Sequence, residues 1–70
     1  MEGIERPLDF LNVLKGKDVI ILGRFKDNKE IEKIKGTLLA FDIHINIVVE
    51  VDEKTYFFRG NEIISISEDK

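Results

Sequence analysis

From Lys17 to Ser67 the chain is a succession of five short runs of β-branched and aromatic residues, most of them closed by a polar turn. Val19-Ile20-Ile21-Leu22 is the first, and Phe25 extends it past Gly23. Lys26-Asp27-Asn28-Lys29-Glu30 is too polar to bury, so a hairpin returns the chain into a second strand, about Ile31 to Phe41. Gly36 lies inside that strand, where glycine commonly marks a bend or bulge, and a bend there lets one strand serve two faces. Ile47-Val48-Val49-Glu50-Val51 is the third strand. Asp52-Glu53-Lys54 turns into a fourth, Thr55-Tyr56-Phe57-Phe58, and a fifth, Glu62 to Ser67, alternates serine with isoleucine. Strands this short, on turns this short, pair antiparallel. The expected fold is mainly β, a strongly bent five-stranded sheet approaching a small open barrel.

Ahead of the strands, residues 6–16 read as a short helix. Pro7 suits the first helical position, where its missing N–H costs nothing. Leu8, Leu11 and Leu14, with Phe10, form an apolar stripe at near-helical spacing, fit to cover one end of the sheet. Gly16 is placed to end the helix as a left-handed cap. Glu68-Asp69-Lys70 reads as a frayed tail. The 70 residues make a single domain, near the lower limit for an independent core.

A chain this small usually needs disulfides, a metal or subunit contacts to stay folded. Cysteine is absent and there is one histidine, so disulfides and thiolate metal sites are excluded and no metal or cofactor is expected. Self-association is the remaining aid. The sheet edges agree: the fourth and fifth strands are apolar, lack proline and carry almost no guarding charge. Pairing one copy's fourth strand with the next copy's fifth is a heterologous contact, which a fixed rotation closes into a ring. The acidic start has neither the basic nor the apolar region of a signal peptide, and no apolar run reaches the ~20 residues of a membrane span. A cytoplasmic protein is expected. The net charge of −3 argues against a general nucleic-acid coat, which needs a broad basic surface.

Two segments stand apart from this scaffold. Asp42-Ile43-His44-Ile45-Asn46 interrupts the strands with an imidazole and a carboxamide. Arg59-Gly60-Asn61 supplies a guanidinium beside a glycine open to close approach. Taken singly, each is an ordinary turn, since aspartate, asparagine and glycine are turn formers. Together they carry the groups that hold a nucleobase.

In order and behind the right helix, these residues resemble the Sm and Sm-like (LSm) proteins, most closely the homomeric archaeal members. Arg6-Pro7-Leu8-Asp9-Phe10-Leu11, then Leu14-Lys15-Gly16-Lys17 and Val19, is similar to the family's N-terminal helix and first strand. Gly36-Thr37-Leu38-Leu39-Ala40-Phe41-Asp42-Ile43-His44-Ile45-Asn46 resembles the end of the first Sm motif, with Ile45 in place of the usual methionine. Arg59-Gly60-Asn61-Glu62-Ile63-Ile64-Ser65-Ile66 resembles the second. The likeness spans residues 6–67. Two departures accompany it: the hairpin between Leu22 and Gly36 is several residues longer than the family norm, and the link from Asn46 to Arg59 is short, closer to the length in bacterial Hfq than in many archaeal or eukaryotic members. Hfq proteins, however, carry lysine-histidine where Arg59-Gly60 stand here and lack the His44/Asn46 pair.

The resemblance implies a six- or seven-membered ring, with both motif loops of each subunit facing the pore and one base of single-stranded, uridine-rich RNA bound per subunit. His44 and Arg59 would sandwich the base, and Asn46 would read the O4/N3–H edge of uracil. Asp42 would position the loop, Gly60 would permit close backbone approach, and Asn61 would add a polar contact. A ring of acidic subunits repels RNA at large, while one arginine per subunit makes a positive belt at the pore. Modest salt dependence, strong base preference and little duplex or DNA binding are expected. The ring would act in RNA processing, RNA stability or ribonucleoprotein assembly. An Hfq-like RNA chaperone is the nearest alternative. An enzyme is disfavoured because no nucleophile–base–orienter set is visible. A peptide-binding module on an SH3-like barrel would need an aromatic groove, and the core claims most of the aromatics.

Overall fold

The computed structural model describes residues 7–70; Arg6 and the acidic start lie outside the described residues. Helix α1 (Pro7–Leu14) is followed by strands β1 (Asp18–Gly23), β2 (Glu32–Phe41), β3 (Ile47–Val51), β4 (Lys54–Phe58) and β5 (Ile63–Glu68). A single turn of 3-10 helix, Gly60–Glu62, leads into β5. Eight residues are too few to hold a helix in water unaided, so packing holds α1 in place. Leu11 and Leu14 are buried against Val19, Ile21, Phe25, Leu38, Ile47 and Val49, each worth about 1.5–3 kcal/mol by removal from water. Phe10 departs from the expected stripe and points outward, 46% exposed. The helix stops at Gly16, whose φ of +84° is the left-handed cap its position suggested. There the Gly16 N–H reaches the Leu38 carbonyl at 2.7 Å, which ties the cap to β2.

The five strands form one antiparallel sheet in the order β4-β3-β2-β1-β5. β2 does serve two partners: Glu32–Thr37 pair with β1, and Thr37–Phe41 pair with β3. The register break falls at Leu39, between the Leu38↔Val49 and Ala40↔Val48 pairs, and not at Gly36. Gly36 meets a different demand. A Cβ there would lie 2.6 Å from the Glu50 carbonyl oxygen and from Val49 Cγ1, so the strand is crossed too closely for a side chain. At the other end of the chain, Glu68 is not frayed. It pairs with Val19, and the Asp69 N–H donates to the Asp18 carbonyl.

β4 and β5 therefore stand at opposite ends of the strand order, each paired on one side only. They are also the barest strands. Tyr56, Phe57 and Ile64 expose 43%, 63% and 50% of their surface in the single chain. No helix among the described residues is long and apolar enough to cross a membrane.

Candidate nucleic-acid interface

The loop from β2 to β3 is built around one carboxylate. Asp42 Oδ1 accepts the backbone N–H groups of His44 (2.8 Å) and Asn46 (3.1 Å), and Oδ2 accepts the Asn46 carboxamide (3.0 Å). Two backbone bonds, Ile45 N–H to the Asp42 carbonyl and Asp42 N–H to the Asn46 carbonyl, close the same turn. These bonds hold Ile45 at φ +63°, a left-handed conformation unfavourable for a β-branched residue. The Asn46 side-chain bond is the largest effect and favours the ionised carboxylate; desolvation, the next largest, opposes it, and the backbone N–H bonds of His44 and Asn46 add to the lowering, so the Asp42 pKa lies below its ordinary value.

Asn46 also joins the two loops. Its Oδ1 accepts the Gly60 N–H at 2.8 Å across fourteen residues of sequence, while its Nδ2 donates to Asp42. An asparagine carboxamide has two N–H donors and two acceptor lone pairs. One of each is consumed here, and one of each is left without a partner among the described residues. Gly60 is where the loops meet: a Cβ would run into the His44 carbonyl oxygen and crowd the Ile45 backbone. The close contact observed at this glycine is with the chain's own first loop.

His44 is exposed, and of its hydrogen-bonding groups only the backbone N–H is engaged among the described residues. With Gly60 it lines a cleft beside Phe10, Ile45 and Ile63. Arg59 and Asn61, on either side of Gly60, are exposed and line a separate polar depression with Arg24, Asp27 and Lys29. The structure thus brings Asp42, His44, Asn46 and Gly60 together by direct contact. Arg59 and Asn61 flank that cluster without a bond to it. Arg24 and Lys29 were missed by reading the two motifs alone; the signal for them was the extra length and basic character of the first hairpin. Among the described residues no group of three or more histidine, aspartate or glutamate side chains could hold a metal.

No family model matches the chain, and no curated protein matches it by sequence. Solved structures do. It superposes on the Sm protein of Pyrococcus abyssii, determined in complex with a uridine heptamer, with TM-score 0.72 and 26% identity over 93% of this chain and 100% of that one. A heptameric archaeal Sm protein matches with TM-score 0.64 and 26% identity, over 89% and 98% of the two chains. The P. aerophilum SmAP1 heptamer matches with TM-score 0.69 and 25% identity, over 96% and 97%. A short helix on a five-stranded antiparallel sheet, matched end to end by these structures, is the Sm fold. With both motif loops present and clasped together, the chain is similar in fold and loop arrangement to the archaeal Sm proteins.

Proposed function

We propose that this chain assembles into a ring and binds single-stranded, uridine-rich RNA at the pore, one base per subunit. The observation that carries the reading is the geometry of Asn46. Asp42 and Gly60 fix its carboxamide from both ends and leave one N–H and one lone pair unspent. That is the complement of uracil, which offers O4 as acceptor and N3–H as donor; cytosine offers the reverse. His44 and Arg59 supply planar faces for stacking, worth ~1–3 kcal/mol per base. Asp42 orients Asn46 and does not itself touch RNA. Gly60 positions the loop pair, and Asn61 adds a polar contact at the side of Arg59.

The ring is supported by the two bare edges, β4 and β5, which are complementary in type and lie at opposite ends of the sheet. Two of the structural neighbours are heptamers, which favours seven copies over six. The uridine heptamer on the Pyrococcus abyssii protein supports the base preference. Binding without catalysis, in RNA processing, RNA stability or ribonucleoprotein assembly, follows from a site that stacks and reads a base but aligns no acid–base pair.

Native mass spectrometry with oligouridine and oligoadenosine tests this directly. The expected result is a seven-copy assembly that takes up oligouridine in preference. A His44→Ala/Arg59→Ala variant should keep the ring and lose the RNA. A monomer, or a ring indifferent to both oligomers, overturns the proposal.

A further inference from the structure

Beside Arg59 lies a depression of about 540 Å³ that base stacking leaves unused. Its far wall is the long hairpin between β1 and β2, fixed over the second motif loop at two points. The Arg24 N–H donates to the Glu62 carbonyl at 2.9 Å, and the Lys26 N–H reaches the Glu62 carboxylate at 3.4 Å. Arg24 Nε donates to the Lys29 carbonyl at 3.2 Å, which leaves the four terminal N–H donors of its guanidinium unspent. No ion pair engages Arg24, Lys29 or Arg59 among the described residues. Three cations thus meet at one rim of a chain whose net charge is −3.

Asp27 and Glu62 line the same depression, so it is too balanced in charge to trap a free anion. A phosphate tethered to a base already stacked on Arg59 is a different case, because attachment raises its effective concentration at the rim. We propose that Arg24 and Lys29 bind the backbone phosphate next to the base held at Arg59, so that the long hairpin forms an RNA-backbone subsite. This rests on the base-binding reading above. It also revises the charge expectation: each subunit brings more than one cation to the strand, and the salt dependence is steeper than a single arginine belt gives.

The test is the affinity of the intact assembly for labelled oligouridine, measured by anisotropy over a range of salt concentrations. Arg24→Gln/Lys29→Gln should flatten the slope of log affinity against log salt by ~0.7 for each phosphate contact removed. Its preference for oligouridine over oligoadenosine should be unchanged. Lys29→Gln alone, which breaks no side-chain bond within the chain, should give part of the same change. Asp27→Asn should tighten binding at low salt. Wild-type binding with an unaltered slope in both glutamine variants overturns the phosphate subsite and leaves the base site standing. No oligouridine binding by the wild type overturns both.

Discussion

The two loops of the site are ordered in opposite ways. The 42–46 loop is nearly self-sufficient: one carboxylate and two backbone bonds fold it around itself, and it tolerates a left-handed isoleucine as a result. The loop from Arg59 to Glu62 has one internal bond, from the Glu62 N–H to the Arg59 carbonyl, and takes the rest of its order from neighbours. Asn46 holds it at Gly60, and the hairpin holds it at Glu62. A rigidly held carboxamide, the proposed reader of the base edge, therefore sits beside an arginine whose position depends on packing. The difference teaches that discrimination and stacking are separable, and that Gly60 is the point where one loop sets the other.

That dependence breaks most completely at Gly60→Ala. The added methyl meets backbone on the His44 side, which cannot swing away as a side chain would. Overpacking of this kind costs about 3 kcal/mol, at the upper end of its usual range. Denaturant unfolding should show that loss, and anisotropy should show oligouridine binding abolished. Undiminished stability would mean that the second loop does not lean on the first. Asn46→Ala comes next. It leaves the part-buried Gly60 N–H without its partner, a loss of about 1 kcal/mol, and it should erase the preference for uridine while residual stacking persists. If preference survived the loss of Asn46, the division between reader and stacker would be wrong.

The smallest effect is in acid. Because the Asn46 bond and the backbone N–H groups lower the Asp42 pKa below 3.8, its ionised form contributes loop order that is fully present above that value. The contribution is lost as the pH falls through the depressed pKa. The amide resonances of His44 and Asn46 should shift together in that window below pH 3.8. Asp42→Asn should remove the shift from both. The Gly60 amide, one bond further away through Asn46, should follow more weakly.

Much of this could be read from the chain because it depends on local chemistry. The strand runs, the polar hairpin, Gly16 as a cap and Pro7 at the helix start are each set by a few adjacent residues. What escaped depends on partners distant in sequence. The bulge at Leu39 is visible only from its register with Val48 and Val49, and the crowding at Gly36 only from the strand that crosses it. Phe10 has the spacing of a buried residue but faces away from the core. At the site, the residue types in the two motifs pointed to a base, whereas the second task of Asn46, clasping Gly60, required the fold. The same holds for Arg24 and Lys29, which share a depression with Arg59 on a hairpin that Glu62 anchors.

The open ends of the strand order have a consequence for how copies come together. Joining one copy's β4 to the next copy's β5 satisfies one edge of each, yet the pair still presents one bare β4 and one bare β5. A trimer or a hexameric arc presents the same two. The count of unsatisfied edges stays constant as subunits are added and falls to zero only when the last joint is made. The final step forms its contact without the entropy loss of capturing another molecule, so partial arcs are disfavoured relative to complete rings. Assembly through these edges is self-counting: curvature, and no separate signal, determines when growth stops.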